Sequence, residues 1–133
     1  NLVSKAVKRE IYTEKDTFFL NERWHCYDAH SDLSDPSKEK LLQRLNKGLE
    51  DTHQQITKAT HVLITLGTAW VYRTIEANTI VANSHKVPQK EFSKELLSIE
   101  KTRISLENII HGVRSLNEEV HFVFTVSPVR HLK

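Results

Sequence analysis

An α/β fold built around a parallel sheet is what this sequence predicts, and two apolar runs with a helical stretch ahead of each predict it. The first run is His61-Val62-Leu63-Ile64-Thr65-Leu66, closed by Gly67-Thr68-Ala69-Trp70. The second is Val120-His121-Phe122-Val123-Phe124-Thr125-Val126, closed by Ser127-Pro128. Near-continuous apolar runs of this length, ended by Gly or Pro, read as strands covered on both faces, the habit of parallel sheets. Ligands of open parallel sheets bind beyond the carboxyl ends of the strands, so the turns after Leu66 and Val126 are the expected seat of any chemistry.

The elements follow in order. Residues 1–10 read as the end of a helix. Residues 11–34 lack a clear period and are dense in aromatic and polar groups, so they are expected to form an irregular but ordered loop, since disordered segments are poor in aromatics. Asp35 as cap and Pro36 in the first turn predict a helix running to about Lys58. Its buried face would carry Leu42, Leu45, Leu49, Ile56 and Ala59 at steps of three and four. After the first strand, 71–73 and 79–81 predict a β-hairpin excursion turning near Glu76-Ala77-Asn78. A short helix is expected over 89–97. The next helix starts from Ser98 as cap, presents Ile99, Leu106, Ile109, Ile110, Val113 and Leu116, and ends near Asn117. Helix–strand, excursion, helix–strand over 35–133 is the alternation that builds right-handed crossovers.

Composition narrows the function. The chain has 133 residues, with 19 basic and 17 acidic side chains in no strong block. A nucleic-acid footprint would need a basic stripe, so none is expected. One cysteine, Cys26, excludes an internal disulfide and a four-cysteine zinc site. Three glycines, at 48, 67 and 112, leave no glycine-rich phosphate loop or dinucleotide fingerprint, so no cofactor is expected. No apolar run reaches a membrane span, and the first ten residues lack the apolar core of a signal peptide. A soluble protein of the reducing cytoplasm is the expectation.

Four clusters could carry chemistry. Gly67 and Thr68 end the first strand, where backbone N–H groups could hold an oxyanion or the glycine could merely permit the turn. Asn83, His85 and Lys86 share a polar loop; Asn and His can stabilise negative charge, and His can move a proton near neutral pH. Arg130, beside His131, could clamp a carboxylate or phosphate. Ser127 lacks the flanking glycines of a nucleophile elbow. Trp24, His25, Asp28 and His30 could line a cleft; His25, Asp28 and His30 could alternatively surround a divalent metal, although no further ligand follows at a recognised spacing, so no metal is assigned.

The strings Asn21-Glu22-Arg23-Trp24-His25, Asp28-Ala29-His30-Ser31, Ile64-Thr65-Leu66-Gly67-Thr68-Ala69-Trp70-Val71-Tyr72, Val81-Ala82-Asn83-Ser84-His85-Lys86 and Phe124-Thr125-Val126-Ser127-Pro128-Val129-Arg130-His131-Leu132-Lys133 closely resemble the GSCFA domain family of bacterial proteins. That family is similar to the SGNH (GDSL-like) hydrolases. The resemblance therefore implies a flavodoxin-like three-layer α/β/α fold, of which residues 1–133 are the central part of a single domain. It also implies a serine esterase or acyl hydrolase acting on a small-molecule or carbohydrate ester. Gly67-Thr68 would stand at the Gly-x-Asn block of such hydrolases, with Ala69 where the oxyanion-binding Asn is usual and Asn83 as the replacement donor. His85 would join this catalytic group, while Trp24, His25, Asp28, His30, Trp70, Arg130 and His131 would meet substrate. The namesake Gly-Ser-Cys-Phe-Ala segment and the Asp-x-x-His block do not occur among these residues, so the nucleophile and base are expected outside them and the 133 residues alone are expected to be inactive. A non-catalytic domain that keeps the cleft and binds a glycan or peptide is the competing expectation.

Overall fold

The computed structural model describes residues 2–127, and Arg130 and His131 therefore lie outside the described residues. Among the described residues three helices, α1 (Leu2–Lys8), α2 (Lys38–Lys58) and α3 (Ile99–Arg114), combine with seven strands into a mixed α/β structure. The strands are β1 (Phe18–Leu20), β2 (Arg23–His25), β3 (His61–Leu66), β4 (Trp70–Thr74), β5 (Ile80–Val81), β6 (Phe92–Leu96) and β7 (His121–Val126).

Helix α2 is the spine. Its buried residues Leu41, Leu45 and Leu49 pack with Ala6, Tyr12 and Cys26 in one core, and Ile56 joins Val113 and Val120 in a second. The buried face thus uses Leu41, with Leu42 half-buried beside it. The cap is Ser37, whose Oγ accepts the Lys40 amide at 3.2 Å, instead of the expected Asp35. The reason is tertiary: Asp35 exchanges backbone hydrogen bonds with Trp24, at 2.8 and 3.2 Å, which holds it extended. Asp35 still helps, since its Oδ1 accepts the Ser37 amide at 2.8 Å. At the other end, the Asn117 carboxamide donates to the carbonyls of Ile56 and Ala59, at 3.0 and 2.8 Å. Carbonyls left over by a helix end are satisfied there by a side chain from beyond α3.

Strands β3 and β7 pair in parallel and in register, from His61 opposite His121 to Leu66 opposite Val126. The Ser127 amide continues the ladder by donating to the Leu66 carbonyl at 2.7 Å. The two strands accordingly end at the same rim. The expected burial on both faces is not what the described residues display. Val62 and Phe122 pack beneath the helices, whereas Leu63, on the opposite face, is 70% exposed. Along that open face His61 stacks on His121, and Thr125 donates a hydrogen bond to Thr65.

The excursion is a three-stranded antiparallel sheet in the order β5-β4-β6. Tyr72 faces Val81 and Arg73 faces Ile80, which makes the hairpin. Residues 89–97 depart from the expected helix: Gln89–Glu91 form a 3-10 turn and Phe92–Leu96 become β6. The free edge of β4 takes them up, with Trp70 opposite Leu96 and Thr74 opposite Phe92. An Arg73–Glu95 ion pair at 3.1 Å and edge contacts of Phe92 with Tyr72 and Tyr27 secure the added strand. Residues 11–34 are also more regular than expected, because β1 and β2 form an antiparallel hairpin with Phe18 opposite His25. α3 starts from Ser98 as read, and ends at Arg114.

Candidate functional site

The β1–β2 hairpin, the loop after it and the loop after β5 meet around two histidines. His25 is 8% exposed and His85 5% exposed, with ring centroids 4.9 Å apart. Phe18 stacks on His25 and on Tyr27, and meets the edge of His85. Buried polar rings need partners, and these have them at every nitrogen. His25 bonds through Nε2 to the Leu20 carbonyl at 3.0 Å and through Nδ1 to the Ser34 hydroxyl at 2.7 Å. His85 bonds through Nε2 to the Cys26 carbonyl at 2.7 Å and through Nδ1 to the Ser31 hydroxyl at 3.3 Å.

Asn83 completes the cluster. Its Oδ1 accepts the backbone N–H of His85 at 2.9 Å, and its Nδ2 donates to the Ser31 hydroxyl at 3.3 Å. The loop is anchored by the amides of Ala82 and Asn83, which both donate to the Tyr27 carbonyl, at 2.9 and 3.1 Å. His85 and Lys86 both take left-handed backbone, at φ 50° and 64°. Two consecutive non-glycine residues in that region are strained, and strain of this kind is retained where the surroundings over-determine it. Burial pushes the His85 imidazole below its ordinary value; the hydrogen bond to the Cys26 carbonyl opposes this, and charge on His25 and His30 adds to it. The ring is therefore neutral at pH 7.

The remaining residues sit as follows. Asp28 accepts a hydrogen bond from the Tyr12 hydroxyl at 3.3 Å. His30 is on the surface, where its Nδ1 accepts the Asp32 amide. Trp24 meets Phe19 at a tilt and carries the Lys38 ammonium over its ring. Gly67 and Thr68 lie in the turn between β3 and β4, where the Thr68 hydroxyl accepts the Trp70 amide at 3.2 Å. Trp70 carries Lys94 over its ring, 4.6 Å from the centroid. Two hydrogen-bonded sets, His25 with Ser34 and His85 with Ser31 and Asn83, thus meet through the contact of the two histidine rings, and the two serines are ones that sequence reasoning passed over. The signal in the sequence was faint: Ser31 adjoins Asp28-Ala29-His30, but the bond to His85 spans 54 positions. Among the described residues no three of His, Cys, Asp and Glu converge as metal ligands.

A cavity of about 610 Å³ adjoins Phe18, Cys26 and Tyr27, which line it, and Lys5, Lys15, Asp16, Asp28, Glu76 and Glu91 supply the charges. Burial and the carboxylates of Glu76 and Glu91 push the Tyr27 phenol up. The Cys26 thiol, pushed up to about 11 mainly by burial, is a thiol and not a thiolate at neutral pH.

No described helix is long and apolar enough to cross a membrane. No curated protein and no solved structure matches the chain. A family model does match, over residues 1–133. The chain belongs to the GSCFA family.

Proposed function

We propose that the protein is a serine-type ester hydrolase of the SGNH kind, acting on an O-acyl group of a carbohydrate or lipid. In this reading β3 and β7 are the centre of a flavodoxin-like three-layer sheet, and the residues described here supply oxyanion donors and cleft walls to a nucleophile and base carried by other segments of the domain. The observation that carries it is the in-register parallel pair whose two strands end at one rim, joined by the Ser127–Leu66 hydrogen bond. Active groups of such sheets gather at that rim. The turn at Gly67-Thr68 lies at that rim, and Asn83 offers a carboxamide held by Ser31 and the His85 amide. Donors fixed before reaction stabilise a tetrahedral oxyanion without reorganising.

The test is hydrolysis of 4-nitrophenyl acetate and an O-acetylated oligosaccharide by the full-length protein, with a serine-directed phosphonate as covalent probe. Saturable turnover and a single phosphonylated serine are expected, with kcat falling about 10²–10³-fold in Asn83→Ala. Absence of both turnover and adduct would overturn the proposal.

A second reading, a non-catalytic glycan- or peptide-binding domain, is favoured by the 610 Å³ cavity, which is walled by Tyr27 and not by the rim turns. A titration of acetylated and deacetylated oligosaccharides followed by NMR separates the two. Binding at Tyr27, Glu76 and Glu91 without turnover would establish the binder.

A further inference from the structure

We propose that Ser31 and His85 are positioning residues that aim the Asn83 carboxamide, setting one of its N–H groups toward the bound substrate. The proposal rests on the oxyanion role given to Asn83 above and adds what holds it.

The directions of the hydrogen bonds follow from one fixed point. The Cys26 carbonyl can only accept, so the neutral His85 ring carries its hydrogen on Nε2, 2.7 Å away. Nδ1 is then a lone pair. The Ser31 hydroxyl must donate to it, across 3.3 Å. That leaves the Ser31 oxygen as an acceptor, and the Asn83 Nδ2 donates to it, also across 3.3 Å. The other end of the carboxamide is equally determined, because the His85 backbone N–H reaches Oδ1 at 2.9 Å and so identifies that atom as the oxygen. Asn83 is gripped at both ends. Its second Nδ2 hydrogen has no hydrogen-bond partner among the described residues, and the side chain is half-buried, not enclosed.

His85 serves this purpose twice, with ring and backbone together. The left-handed φ of 50° lets its amide turn back to Asn83 while its ring reaches Cys26 and Ser31. The ring is locked among His25, Phe18 and Tyr27. A donor whose rotamer is fixed through a second layer of hydrogen bonds meets a developing charge better than one free to rotate.

Two measurements on the full-length protein test this. Long-range ¹H–¹⁵N NMR of the histidine rings at pH 7.5, assigned with His85→Gln, is expected to find the His85 hydrogen on Nε2; a hydrogen on Nδ1 would overturn the relay. In ester hydrolysis, Ser31→Ala is expected to lower kcat about tenfold with KM within about twofold, and Ser31→Thr, which keeps the hydroxyl, to restore most of it. An unchanged kcat in Ser31→Ala, where Asn83→Ala is crippled, would overturn the positioning role. So would a phosphonate adduct on Ser31 itself, which would make it the nucleophile. If the wild type turns over no ester, the oxyanion role falls with the hydrolase reading, and the ring tautomer separately decides whether the hydrogen-bond relay exists.

Discussion

The imidazole of His85 donates to the backbone carbonyl of Cys26 across 59 positions of sequence, at 2.7 Å. That bond joins the loop after β5 to the β1–β2 hairpin, and it buries a titratable ring against Phe18, Tyr27 and a second histidine.

Stability should therefore fall on mild acidification. The folded-state His85 value lies below the ordinary 6.5, through burial first and then His25 and His30. Between the lowered value and 6.5 the unfolded chain binds a proton that the folded chain does not, so stability drops as pH falls through this window. Below the lowered value the loss is complete. Urea midpoints measured from pH 7.5 to pH 5 should show the drop, and His85→Gln should flatten that part of the curve. An equally steep curve in the variant would assign the effect elsewhere.

Cys26 should be slow to alkylate. Its thiol is raised from 9.0 to about 11, so at pH 8 the thiolate is about a hundredfold scarcer than in the unfolded chain. Iodoacetamide should modify the native protein at least that much more slowly than the urea-unfolded protein. The raised value also stabilises the fold below pH 9, a contribution lost as pH rises through about 11. Equal alkylation rates in the two states would contradict the burial.

Two leucines should respond in opposite ways to one substitution. Leu41 is 0% exposed in the α2 core, and Leu41→Ala should cost about 2–5 kcal/mol. In residues 1–133 by themselves Leu63, 70% exposed on the open face of the parallel pair, should lose no more than about 0.5 kcal/mol in Leu63→Ala. Chemical denaturation of both variants measures the contrast. A large loss at Leu63 would mean that this face is covered in solution.

Asn117 should be worth more than its position in a loop suggests. Its carboxamide donates to two carbonyls at the end of α2. Asn117→Ala leaves both without that donor and should cost about 1–3 kcal/mol. Asn117→Asp removes the same N–H groups and brings a charge to the negative end of a helix dipole, so it should be at least as harmful. Thermal melts of the two variants decide it.

Much of the fold was legible because periodicity is a local property. The three-and-four spacing of Leu45, Leu49 and Ile56 made α2, Ser98 made the start of α3, and the apolar runs made β3 and β7. The strand β6 was not legible, since Phe92–Leu96 becomes a strand only by pairing with β4. Nor was the hairpin of β1 and β2, whose three-residue strands are too short to display a period. For the candidate site, Asn83 and His85 stood out by residue type, whereas Ser31 and Ser34 did not, because serine is common in loops and only its partner marks it.

The amino-acid order by itself determined α2, the start of α3, the two apolar strands and the family, all of which are written in neighbouring residues. Only the tertiary structure decided where the Asn83 carboxamide points, which nitrogen of His85 holds the proton, and which face of the parallel pair meets solvent. Those depend on Cys26, Ser31 and the packing of three helices, contacts made across long stretches of chain that no local pattern encodes.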